Sequence, residues 1–222
     1  YGGVIAMILM IALAVYIIIK NRAKSNKNNE TDDLFEKALN TTDQEVIYET
    51  LIQHNKESIN ELLNVAKNIY TGVVDAFVKE DIKTLRKASN DCRMAKDKMK
   101  QLKRKEIMIM RRMDDKMINK NTWFHLSYNC IEQILYSLRR ICDPCKEYVD
   151  NSFTPLDKKY LSEVDGLKEK VIWSIDAADI TIYSSEYKDV EAVMERIKIR
   201  EDEVVEMSHE QMNRIQNNNR NC

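Results

Sequence analysis

Apolar positions recur along this chain with one helical rhythm, and a single segment departs from it. That segment comes first. Gly3 to Ile19 is unbroken apolar sequence, followed at once by Lys20, Arg22, Lys24 and Lys27. An α-helix of about 20 apolar residues crosses the hydrocarbon core of a bilayer. Residues 1–20 are therefore expected to form a transmembrane helix. The chain opens inside an apolar run and not on a Met, so this helix reads as the last span of a larger protein. A signal peptide fits less well, because no basic segment precedes the run and no small-residue cleavage pattern follows it. The basic flank places everything after it in the cytoplasm by the positive-inside rule, under the cell inner membrane. Residues 21–33 are polar and read as a linker, which would transmit little torque and leave control to docking. Leu34, Phe35, Ala38 and Leu39 then allow a short amphipathic turn.

Beyond the linker the period is 3.6 residues throughout. A first long helix is expected from Gln44 to Lys79, capped by Thr42 or Asp43, with the stripe Leu51, Ile52, Ile59, Leu62, Leu63, Ala66, Ile69, Tyr70, Val73 and Phe77. A second is expected from Ile82 to Asn119, opened by Asp81. Its seam is Leu85, Ala88, Cys92, Ala95, Met99, Leu102, Glu106, Ile109 and Met113. A third begins after Thr122 and carries Ile131, Ile134, Leu138, Ile141, Cys145 and Tyr148. Pro144 falls inside it, so the helix kinks there or ends and restarts with Asp143 as its cap. A fourth starts at Thr154-Pro155 and a fifth runs from Glu186 to Gln216, while the polar end from Asn217 is expected to fray, leaving 218–222 outside the body. Four Gly and two Pro in 222 residues are too few turn formers for a β architecture. The expected fold is all-α: an elongated, antiparallel up-and-down bundle over residues 34–217, its short connections forcing neighbouring helices to alternate in direction.

Charge changes the picture only locally. The net charge is −1. Residues 28–81 hold twelve acids against four bases, and residues 82–120 hold fourteen bases against five acids. Either an acidic helix packs beside a basic one, or a basic face meets anionic lipid headgroups, phosphate or another acidic partner. The basic stretch Lys96 to Arg112 lacks interleaved aromatics, which argues against nucleic acid. Five cysteines at irregular spacing do not form an extracellular disulfide framework.

Candidate chemistry is sparse. Cys142 and Cys145 form the chain's CxxC and share a helix face, but no second CxxC or His pair completes a zinc site. Two small core thiols at a proline kink is the plainer reading. Glu106 occupies a seam position among apolar residues. Burial there demands a metal or an internal Lys or Arg, unless the helices splay and admit water. Glu206 and His209 make a Glu-x-x-His, a pair that di-metal carboxylate bundles use twice. Leu51 precedes His54 and Thr122 precedes His125 at that spacing, so the second pair is missing. The eleven Met, with Trp123, Phe124, Trp173 and Tyr183, are expected to pack the core or belt its ends. No Gly-rich phosphate loop, HExxH or Gly-x-Ser-x-Gly occurs, so neither enzyme activity nor a cofactor is expected.

Two segments carry a resemblance. Val65-Ala66-Lys67-Asn68-Ile69-Tyr70 through Phe77-Val78-Lys79-Glu80-Asp81-Ile82 resembles the helix end, short turn and helix-opening Asp of PhoU-type domains. Asn121-Thr122-Trp123-Phe124-His125-Leu126 through Cys142-Asp143-Pro144-Cys145-Lys146-Glu147 resembles the tail of Bacteroides-type inorganic phosphate permeases of the PiT class. The resemblance implies phosphate transport coupled to Na⁺ or H⁺, with the transport site in spans outside this sequence. Residues 34–217 would then be a PhoU-like regulatory domain, with the lipid bilayer, a cytoplasmic regulatory protein or a second copy as partners. It also implies a metal pair with Glu132 as first member. Tyr136 stands where the second carboxylate would be, so no complete metal site carries over.

Overall fold

The computed structural model describes residues 32–118, 122–152, 158–183 and 187–220. Among the described residues all regular structure is helical. Seven helices follow one another: α1 over 32–40, α2 Gln44–Val78, α3 Ile82–Met110, α4 Asp115–Ile118, α5 Thr122–Asp150, α6 Lys158–Tyr183 and α7 Tyr187–Arg220. The expected span over 1–20 and the Thr154-Pro155 start of the fourth helix lie outside the described residues. Among the described residues no helix is long and apolar enough to cross a membrane. The chain divides into two compact units, Tyr1–Ser58 with Gln101–His125, and Ile59–Lys100 with Leu126–Cys222.

The first unit is built on Ala38, Ile47, Leu51, Ile109 and Met113, with Phe35, Tyr48, Met110 and Met117 packed against them. The apolar residues of 34–39 sit in a complete helix that begins two residues inside the expected linker. Lys105 covers the Phe35 ring at 5.5 Å and pairs with Asp32, which pins α1 to α3. Of the two candidate caps, Asp43 opens α2: its Oδ1 accepts from the amides of Glu45 at 3.0 Å and Val46 at 3.4 Å. The expected helix to Asn119 is interrupted, since α3 ends at Met110. Tertiary bonds win there. Gln44 donates through Nε2 to the Arg112 carbonyl at 3.1 Å and accepts from the Asp114 amide at 3.0 Å. Arg112 in turn donates to the Thr41 carbonyl at 2.9 Å. These partners take backbone groups that a continuing helix would need, the turn lets Met113 bury, and α4 restarts at Asp115.

In the second unit α2 hands directly to α3. Asp81 N donates to the Ala76 carbonyl at 2.8 Å and Glu80 N to the Phe77 carbonyl at 3.1 Å, with Glu80 in the left-handed region at φ 54. This is a Schellman closure with a glutamate where glycine is usual. The same Asp81 caps α3 by accepting from the amides of Lys83 at 3.1 Å and Thr84 at 3.2 Å. The α3 seam is buried here from Leu85 to Met99, and in the first unit through Leu102, Glu106 and Ile109, as its spacing predicts. On α5 the buried positions are Tyr128, Ile131, Leu135, Leu138 and Cys142, whereas Ile141 is exposed. The α5 seam is thus rotated from the expected one. Pro144 neither splits nor ends α5, which continues to Asp150 with the proline on its exposed side.

Charge pairs hold α6 and α7 more than apolar burial does. Among the α6 side chains that are described, only Ala177 is buried. Lys67 grips the Asp176 carboxylate at 2.6 and 2.7 Å, Asn60 donates to Asp179 at 2.5 Å, and Lys168 bridges Asp75 at 3.1 Å and Asp165 at 2.7 Å. The Arg214 guanidinium meets Glu163 with both prongs, at 2.8 and 2.9 Å. The α7 helix continues to Arg220, past the point where fraying is expected, because each added residue contributes one more backbone bond once a helix is nucleated.

Candidate functional site

The seam of the first unit contains one polar plug. Glu106 on α3 is fully buried, as are His54, Asn55 and Ser58 on α2, and Thr50 one turn earlier is nearly so. The splayed, water-filled alternative for Glu106 is therefore set aside. Its partner is neither Lys nor Arg: Asn55 Nδ2 donates to Glu106 Oε1 at 3.3 Å. His54 Nδ1 lies 3.5 Å from Asn55 Oδ1, so a chain runs from imidazole to amide to carboxylate. At the far ends of this chain, Glu106 Oε2, His54 Nε2 and the nearby Ser58 Oγ are buried without a hydrogen-bond partner among the described residues.

Burial sets the electrostatics. It pushes the Glu106 carboxyl up to about 7, against the smaller opposing pulls of the Asn55 bond and Lys103. It holds the His54 imidazole below its ordinary value, partly offset by the Asn55 bond, with Lys105 lowering and Asp32 raising it further. The cluster can exchange a proton near neutrality, and the imidazole stays neutral. Glu106 was singled out by its seam position. His54, Asn55 and Ser58 were not, although the apolar stripe of α2 has a gap between Ile52 and Ile59 that foretells them.

The other candidates are scattered. Cys142 is buried and Cys145 half-buried, and both are free thiols. Burial raises the Cys142 thiol and takes Cys145 to about 11, the opposite of what a reactive thiolate requires. Cys142 donates instead to the Leu85 carbonyl at 3.5 Å. Glu206 and His209 are both exposed near the end of α7. Glu132 is half-buried and Tyr136 exposed on α5. Among the described residues no three His, Cys, Asp or Glu gather closely enough to hold a metal ion. Trp173 is half-buried, Met99 and Met113 are core residues, and Met94, Met108, Met194 and Met212 face solvent, so the methionines do not act as one set. The side chains of Trp123, Phe124 and Tyr183 lie outside the described residues. No family model, no curated protein and no solved structure matches this chain.

Proposed function

We propose that this chain is the C-terminal part of an inorganic phosphate permease: its last span, followed by a cytoplasmic PhoU-like helical domain that regulates ion-coupled phosphate symport. The observation that carries the reading is the corner between α2 and α3. Residues 65–82, where the resemblance to PhoU-type domains lies, form a long helix end, a tight turn and an aspartate-capped start of the next helix. The apolar run from Gly3 to Ile19 and its basic flank supply the anchor in the same reading. The domain works in this reading as a non-enzymatic partner of the transporter, through its surface.

Deleting residues 34–222 from the full-length protein tests this. Labelled-phosphate uptake, measured in cells grown on scarce and on abundant phosphate, should persist but lose its dependence on phosphate supply. If kinetics and response are both unchanged, the transport reading fails, and a membrane-tethered helical scaffold replaces it.

A further inference from the structure

We infer that the second unit carries a binding site for a phosphate-class dianion in the groove between α3 and α5. Two charged helix faces build it. On α3, Arg86, Ser89, Asn90 and Arg93 follow at i, i+3, i+4 and i+7, and so share one face. On α5, Arg139, Asp143, Lys146 and Asp150 share another at i, i+4, i+7 and i+11. Arg86 meets Asp150 at 2.7 Å and Ser89 donates to Asp143 at 3.3 Å, which sets the two helices antiparallel and their faces in register. Between them lies a cavity of about 310 Å³ lined by Arg86, Ser89, Asn90, Arg93, Arg139 and Lys146.

The charges in this groove do not balance. Four cations line it, and two carboxylates answer them: Asp150 on Arg86, and Asp143 on Arg139 at 3.3 Å. Arg93 bonds the neutral Asn90 side chain at 2.8 Å, and half-buried Lys146 has no ion pair among the described residues. Two positive charges are left over. Three other α3 cations do have acids, Glu61 for Lys98, Asp97 for Lys100 and Asp32 for Lys105. A partly desolvated ammonium without a counter-ion is costly, and a bound anion removes that cost.

The donor set specifies the anion. Guanidinium groups and an ammonium line one groove, the combination that recognises tetrahedral phosphate oxygens. No aromatic ring lines the cavity, so a nucleobase finds nothing to stack on. The volume is at the small end of small-molecule sites. The occupant is thus a phosphate or compact phosphomonoester, whether free in solution or as a lipid headgroup. The inference holds whether or not the chain serves a permease, because it rests on the groove alone.

Calorimetric titration of the full chain in neutral detergent, at fixed ionic strength, tests it. One arm uses inorganic phosphate, the other a short-chain phosphatidic acid in the same micelles. Saturable binding in either arm is expected, and the stronger arm identifies the source. Lys146→Gln and Arg93→Gln should each weaken it at least tenfold with helicity unchanged by circular dichroism. Lys100→Gln, outside the groove, should leave it within twofold. Absence of saturable binding in both arms overturns the site. So does equal binding by the groove variants, or an equal loss with Lys100→Gln.

Discussion

Glu106 and His54 couple the first unit to pH in opposite directions through the amide they share. Glu106 has a folded value near 7 against an ordinary 4.5. Between those values the folded chain keeps a proton that the unfolded chain releases, so this contribution falls as pH rises from about 4.5 and levels off above about 7. His54 is depressed, so its contribution is complete above the ordinary 6.5 and is lost as pH falls below it. In the native protein the two slopes oppose each other on the acid side of neutrality. Glu106→Gln separates them. Relative to the native chain it should be near neutral at pH 4.5 and stabilising at pH 8, by up to about 3 kcal/mol at about 1.4 kcal/mol per pKa unit. Urea midpoints at the two pH values check this, and equal differences at both would contradict it. Of the four fully buried residues of the cluster, Glu106 alone was legible in the sequence. A carboxylate in a heptad seam announces itself, but a polar patch on α2 looks like solvated surface until its partner helix is known.

Helix boundaries were legible where one residue's own chemistry decides them. Asp43 and Asp81 cap helices because a short carboxylate reaches the amides two and three positions on. The end of α3 was not legible, because Gln44 and Arg112 decide it across about 70 residues of chain. The α5 seam was legible only in part for a related cause: Ile131 and Leu138 are buried as expected, but Ile141 is not. Ile134 and Ile141 fit a helical period as well as Leu135 and Cys142 do, and only the facing helices choose between them. Glu80 offers a test at this scale. A left-handed conformation costs an L-residue about 1–2 kcal/mol relative to glycine. Since Glu80 is exposed and its φ is 54, Glu80→Gly should stabilise the chain by about 1 kcal/mol, read as a rise in thermal midpoint. A fall would mean that the Glu80 side chain contributes contacts beyond its backbone strain.

At the scale of the whole molecule, the helical rhythm and the scarcity of Gly and Pro predicted an all-helical chain, and the described residues form one. The division into two units was hard to read in the pattern: the α3 stripe passes the border without a break in period, and the gap in the α2 stripe between Ile52 and Ile59, which ends at the border, looks like solvated surface. The excess of bases over 82–120 pointed toward an anionic partner, but half of the groove's cations, Arg139 and Lys146, come from α5, which only tertiary pairing brings opposite Arg93. Asn55 and Glu106 have a last consequence for uniqueness. Leucine heptads on two helices mesh almost equally well after sliding by seven residues, and one polar match among them acts as a key that fits a single alignment. Asn55→Leu with Glu106→Leu should raise the denaturant midpoint of the chain by the equivalent of about 1–4 kcal/mol. It should also broaden the amide spectrum of residues 44–58, as sliding neighbours sample more than one lock.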